Sequence, residues 1–588
     1  MSRPVGPAIL IALASALLVH SGGRFAVEAG RARGYSETRD LGWFDGLPMA
    51  EIVSALDARL DASAPVALGP SFRATAPEFR ASLRLKLTEG LYPRELLPVA
   101  AHTLERVPAG ESTPLPVIGG WSDGAALALA GREHPSPGTR GRIALGLDPW
   151  SIALALLALS GAGSMLLALH PQTRRLAWAV SAAWSLPAGA LAIALLAHLA
   201  TWLQLPLFGK AVLVVGLLAA PLLLGRGVAR ARMGAGLLHL GPFVALLAAV
   251  SVALARAASV PVTGWDGRVV WLLHAKQIFF SGYLPVTDAA FAASFQPTYP
   301  LLTPAVYALS SLWGPDFNER SAAVLGVALH GSALLALAWL ATRQMGEARG
   351  FALAAFSFWA GMGHSVEAYA DGLLATLLTV QWLALREERT TVLAWLAAAA
   401  AALAKREGLV FAALLALLCR QRFSRRMALG LTAALAPAAL HGLWAHALQV
   451  PHDFERLHLA GGVGEAVDRT LLIVRKAGGS LLRAQPLLLG GIAYLAAARL
   501  SRGGRTPAGW AAFCAASAAL AVLFAVFFLT PQPLRWHLET ALPRLALIPS
   551  HLAVLALLAS LPGAPVARVA GSLAPQPGPD QRVPGDAA

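Results

Sequence analysis

Long uncharged runs constrain this chain more than any other feature. "PFVALLAAVSVALARAA" is one of many, and similar runs recur from Trp150 almost to the C-terminus. A helical run of about 20 apolar residues matches the roughly 30 Å hydrocarbon core of a bilayer. Inside lipid the backbone must satisfy its own hydrogen bonds, so these runs read as helices. With 56% hydrophobic and 13% charged residues over 588 positions, the chain lacks the polar cover a soluble surface requires. The expectation is a polytopic all-α membrane protein.

The formal net charge of +15 would point to nucleic acid in a soluble protein. Here the arginines fall in short links between apolar runs: Arg174–Arg175, Arg226/Arg230/Arg232, Arg343/Arg349, Arg386/Arg389, Arg420/Arg422/Arg425/Arg426 and Arg499/Arg502/Arg505. That is the positive-inside pattern, so no nucleic-acid partner is expected. Placing every such link in the cytoplasm gives roughly fourteen transmembrane helices, with both termini inside. "YPLLTPAVYALSSLWG", residues 299–314, is short and interrupted by prolines. It is expected to lie along the outer interface or to dip in and return. The two cysteines, Cys419 and Cys514, sit in apolar segments and supply neither a disulfide framework nor a thiolate metal site.

Residues 1–21 have a basic start and a short apolar core, which reads as a signal anchor or first transmembrane helix. Residues 22–148 are charged and rich in turn residues, and are expected to form a small extracytoplasmic α/β domain, with "MAEIVSALDARL" helical. Further transmembrane helices follow over 149–233, then a core over 234–420, then C-terminal transmembrane helices with outer loops over 421–562. The Pro/Gly-rich stretch 563–588 reads as a disordered cytoplasmic tail.

This topology collects a few polar segments on the outer face. Asp266 follows a span in "TGWDGRVVWLLHAKQIFFSGYLP". A carboxylate at a membrane boundary is costly unless paired or wetted, and could take a proton from an acceptor hydroxyl; it could equally cap the following helix. Lys405 and Arg406 in "AALAKREGL" lie on the side disfavoured by the positive-inside rule. They suit a lipid phosphate, or else a pair with Glu407 and snorkelling toward headgroups. Asp371 in "AYADGLL" is either a functional carboxylate or an N-cap. Arg535, His537, Glu539 and Arg544 share the last outer loop. There is no zinc-binding helix motif, no phosphate-binding P-loop and no serine nucleophile elbow.

Taken in order, these pieces resemble the membrane-embedded glycosyltransferases of the C-type (GT-C) fold, in the protein-mannosyltransferase and lipid A aminoarabinose-transferase branch. The resemblance covers residues 234–420. It rests on "WDGRVVWLLHAKQIFFSGYLP", "YPLLTPAVYALSSLWGPDFNERSAAVLG", "AYADGLLATLL" and "LAKREGLVF". Gly267 stands where the family commonly repeats an acid, and Arg-Glu-Gly follows the lysine where the family has Gly-Pro.

The resemblance implies a GT-C-like core using a polyprenyl-phosphate sugar and an acceptor glycan, lipid or protein, at the outer face of a bacterial-type inner membrane. It makes Asp266 the general base of an inverting displacement, and Lys405 with Arg406 the donor-phosphate clamp. Asp371, Tyr299, His274, Lys276, Arg535, His537 and Arg544 become candidate substrate contacts. No cofactor is implied with certainty; relatives differ in whether they use a divalent metal. Rival readings are a flippase for lipid-linked glycans, which would want charges within mid-membrane half-helices, and a non-catalytic assembly partner of the same fold.

Overall fold

The computed structural model describes residues 5–31, strand segments between 43 and 144, and, with short gaps, residues 147–212, 240–286, 298–450, 463–484, 507–530 and 534–561. Runs rich in Ala and Leu fold as helix because these side chains lose little freedom there. The described residues give α1 (Val5–Arg31), α2 (Pro149–Ala168), α3 (Trp178–Leu203) and α4 (Leu240–Ser259). A π-helical turn, Gly267–Leu272, leads into α5 (Leu273–Ser281), and α6 (Leu302–Leu309) follows. Then come α7 (Glu319–Met345), α8 (Glu347–Val366), α9 (Asp371–Leu385), α10 (Thr391–Ala404) and α11 (Arg406–Leu418). The chain continues through α12 (Arg425–Ala447), α13 (Val463–Ala484), α14 (Pro507–Leu529), α15 (Leu534–Leu545) and α16 (Leu547–Ser560).

Among the described residues, eight segments are long and apolar enough to cross a membrane, the last formed by α15 and α16 in succession. The chain is a multi-pass helical membrane protein. The expected count of about fourteen assumed that every apolar run is a full-length span. Several are shorter: α9, α10 and α11 have 15, 14 and 13 residues. At 1.5 Å per residue, α9 is about 22 Å long and cannot match a hydrocarbon core of about 30 Å. It has no need to, because all of its residues are buried by other helices. Residues 213–239 and 485–506, which carried further expected spans, lie outside the described residues, as does the tail 563–588.

Ion pairs fix which helix ends lie together. Arg256, in the last turn of α4, pairs with Glu28 near the end of α1 at 3.0 Å and with Glu367 at the end of α8 at 2.7 Å. At the other end Arg343 of α7 pairs with Glu387 just past α9, and Arg349 of α8 donates to the Leu561 carbonyl beyond α16 at 2.9 Å. The basic links around 343–349 and 386 therefore gather at one end of the bundle, as the charge pattern predicts. Asp371 opens the opposite end.

Two sequence boundaries shift. The first helix runs to Arg31 rather than stopping near residue 21, and it is integral to the bundle. Ala14, Leu18 and Phe25 are buried, and the Phe25 ring meets Phe358 of α8 edge-on. Within residues 299–314 every residue of α6 is buried by other helices. Its eight residues reach about 12 Å, so the segment dips into the bundle.

Part of 22–148 is described as strands. β1 (Trp43–Phe44) pairs with β2 (Leu47–Pro48), and β3 (Val66–Leu68), β4 (His102–Val107), β5 (Val117–Gly120) and β6 (Ala126–Ala130) form a four-stranded sheet in the order β3-β4-β6-β5. The expected helix "MAEIVSALDARL" lies outside the described residues. Close to the bundle, β7 (Ile143–Ala144) pairs with β8 (Phe317–Asn318) just before α7. Asp148 caps α2 and its amide donates to Ser321 Oγ at 3.3 Å.

The hairpin from α10 to α11 turns on one residue. Lys405 is extended (φ −160°, ψ 151°), which ends α10 and starts α11. A Cβ at Gly408 would overlap the Ala401 carbonyl oxygen. Gly408→Ala must therefore push the two helices apart, at an expected cost of about 1–3 kcal/mol. Thermal unfolding in detergent reads this as a lowered midpoint; an unchanged midpoint would mean the helices are not this close.

Candidate functional site

At the end of the bundle marked by Asp371, five charged side chains from four segments form one chain of contacts. Asp266 stands immediately before the π-helical turn and pairs with Arg544 from the last turn of α15. The same Arg544 Nη1 is 4.0 Å from Asp371 Oδ2 at the start of α9. Asp371 Oδ1 in turn accepts from Lys405 Nζ at 2.8 Å, and Lys405 reaches Glu407 Oε1 at 3.3 Å. Asp266 and Asp371 are separated by more than one hundred residues in sequence and share one guanidinium.

Local structure explains each position. The break between α10 and α11 turns Lys405 inward, so the lysine that ends one helix becomes the counter-ion of Asp371. A short left-handed turn closes α8: Ala368 has φ 60°, and the Tyr369 amide bonds back to His364 O at 2.8 Å. This turn aims Tyr369 at Arg544, whose guanidinium carbon lies 5.1 Å from the ring centroid. Gly267 lies against the same turn, where a Cβ would overlap the Glu367 carbonyl oxygen, and this contact holds Asp266 beside Tyr369. Helical π-turns are often found at functional sites; here one sits directly behind the candidate base.

Exposure grades across the cluster. The side chains of Asp371 and Lys405 are 2% and 7% exposed, whereas Arg544 and Asp266 are 16% and 26% exposed. Glu407, at the other end of the chain of contacts, is 23% exposed, so the cluster is open at both ends and closed at Asp371 and Lys405. Burial disfavours the charged form of Lys405, but Asp371 and Glu407 outweigh it and hold the ammonium well above its usual range. Burial and the nearby Asp266 carboxylate push the Tyr369 phenol up to about 12, so it stays neutral.

The other candidate residues divide. Arg406 turns the opposite way from Lys405: Nε donates to Thr298 O at 3.3 Å, and the guanidinium lies 5.2 Å from the Tyr299 ring centroid. Tyr299 leans on Trp271 of the π-turn at 5.4 Å, so Tyr299 and Arg406 flank the cluster. His537 bonds Thr530 Oγ1 at 2.8 Å and packs on Phe527. Arg535 is exposed and pairs with Glu539, which also holds Lys476.

His274 and Lys276 do not join the cluster. Both are fully buried along α5, and Lys276 pairs with Glu319 at the start of α7 at 3.0 Å. Their place in the sequence near Asp266 suggested substrate contact, but helical periodicity carries them into the core, where Lys276 ties α5 to α7. Tyr369 and the Glu28–Arg256–Glu367 latch were not singled out from sequence. The only signal for Tyr369 was its place two residues before Asp371.

Among the described residues, no three His, Cys, Asp or Glu side chains stand close enough to hold a metal ion. Asp266, Asp371 and Glu407 each face an arginine or lysine instead. Comparison with protein-family models, curated proteins and solved structures finds no match. The function must be read from the site itself.

Proposed function

We propose that the protein is a membrane glycosyltransferase that moves a sugar from a polyprenyl-phosphate donor to an acceptor hydroxyl at the outer face of the membrane. The observation that carries this reading is the meeting of Asp266, Arg544, Asp371 and Lys405 in one cluster at the bundle end opposite the basic links. A continuous chain of five charges, buried at its centre and open at Asp266 and Glu407, suits the handling of a charged ligand.

In the proposed reaction Asp266 takes the proton of the acceptor hydroxyl. The acceptor oxygen forms a bond to the anomeric carbon while the bond from that carbon to the phosphate oxygen breaks. The electron pair leaves with the polyprenyl phosphate. Arg544 and Arg406 provide guanidinium groups for the growing phosphate charge. Lys405 acts one step behind them, as the buried counter-ion that keeps Asp371 ionised and Arg544 in place. Direct phosphate contact by Lys405 would require breaking its pair with Asp371.

The flippase reading gains little support. The buried Lys276–Glu319 pair, between α5 and the start of α7, is closed, and the more exposed charges of the cluster stand at helix ends.

The test is a transfer assay with the full-length protein in nanodiscs, radiolabelled polyprenyl-phosphate hexose or pentose, and acceptor membranes. Protein-dependent appearance of label in a product other than the donor is expected. Movement of intact donor across sealed vesicles, with no product from any donor, would favour the translocator instead.

A further inference from the structure

The cluster contains an apparent conflict. The carboxylate proposed to accept a proton has its Oδ2 paired to Arg544 Nη1, and that same Nη1 belongs to the guanidinium best placed for a phosphate. Resting on the glycosyltransferase reading, we infer that Arg544 is an exchange residue: an arriving phosphate takes the guanidinium from Asp266, so that donor binding itself uncovers the base.

Three features support the exchange. Arg544 is anchored independently of Asp266: its Nε donates to Thr540 O at 3.1 Å, and the guanidinium lies over the Tyr369 ring. The planar fork stays aimed while one Nη changes partner, and such a fork matches phosphate oxygens as well as carboxylate oxygens. Arg544 also has a second carboxylate within reach, Asp371 Oδ2 at 4.0 Å. That oxygen is buried and makes no hydrogen bond among the described residues. Losing Asp266 therefore does not leave the guanidinium without a counter-ion. Finally, the exchange occurs at an accessible end of the cluster, since Asp266 is its most exposed member and Asp371 and Lys405 are its most buried.

The charges favour a cycle. Asp266, Asp371 and Glu407 balance Arg544, Lys405 and Arg406. A bound phosphate adds negative charge and leaves Asp266 without its cation, so the carboxylate gains by taking the acceptor proton. Once protonated, Asp266 no longer competes for Arg544, and the product phosphate remains held. Deprotonation restores the Asp266–Arg544 pair and helps expel the spent lipid. The site thus exposes its base only when a phosphate is in place, which limits idle activation of hydroxyls.

The experiment measures binding of a short-chain polyprenyl monophosphate to the full-length protein in nanodiscs. Parallel arms use inorganic phosphate and phosphatidylglycerol to separate a dedicated donor site from any phosphate or headgroup. Wild type, Asp266→Asn, Asp266→Ala and Arg544→Gln are compared, each with its thermal midpoint. Removing the competing carboxylate should tighten polyprenyl-phosphate binding about tenfold in both Asp266 variants, and Arg544→Gln should weaken it by a similar factor. If both Asp266 variants bind as wild type does, or more weakly, the exchange is refuted while the transferase reading stands. If no variant, wild type included, binds polyprenyl phosphate above phosphatidylglycerol or inorganic phosphate, the transferase reading fails and the exchange with it.

Discussion

Replacing Lys405 by methionine is expected to destabilise the protein by about 3–5 kcal/mol, the cost of leaving a buried charge without its partner. The pair between Lys405 and Asp371, at 2.8 Å and almost wholly buried, ties α9 to the α10–α11 hairpin. Its net worth relative to apolar residues is small, because desolvating two ions cancels most of their attraction. Removing one partner is different, since Asp371 then faces only Arg544 at 4.0 Å. Arg544 softens the loss, which places the effect toward the lower end of that range. Lys405→Met combined with Asp371→Asn should recover much of the stability, with a coupling energy of about 1–3 kcal/mol. Thermal unfolding of the four proteins in one detergent checks this. A single variant as stable as wild type would mean that the pair does not form.

Asp266→Asn is expected to lower the transfer rate by about 10²–10⁴, the usual contribution of a positioned general base. Asparagine keeps the size of the side chain and an oxygen for Arg544, so the fold and Gly267's contact with the Glu367 turn should survive. It cannot accept the hydroxyl proton. Donor binding should tighten, so the loss falls on turnover rather than on donor affinity. Lys405→Met should show the opposite balance, with transfer lost alongside stability because the cluster behind Arg544 is dismantled.

How much of this was legible in the sequence depended on the range of the interaction. The membrane class follows from composition and run length, which report directly on the solvent of each segment. Asp266, Asp371 and Lys405 could be picked out because each is an ionisable residue at the end of an apolar run, and the structure brings them together. The partner that links them, Arg544, lay in a loop cluster with no local mark separating it from Arg535. Only the three-dimensional path of α15 distinguishes the half-buried bridge Arg544 from the exposed Arg535.

His274 and Lys276 lie apart from the cluster. Nearness in sequence to Asp266 suggested shared function, yet a helix turns successive residues to different faces, and α5 sends these two inward. The short spans were also hidden. Residue counts in apolar runs cannot tell a helix that faces lipid from one sheathed by other helices, and α9 is of the second kind.

The decisive measurement is sugar transfer in sealed proteoliposomes of known orientation, with donor in the bilayer and a membrane-impermeant acceptor on one side. Product should form only when the acceptor is on the side of Asp266 and Asp371, and Asp266→Asn should reduce it at least a hundredfold. Product formed from the opposite side, or at an undiminished rate in Asp266→Asn, would contradict the placement of the chemistry at this cluster.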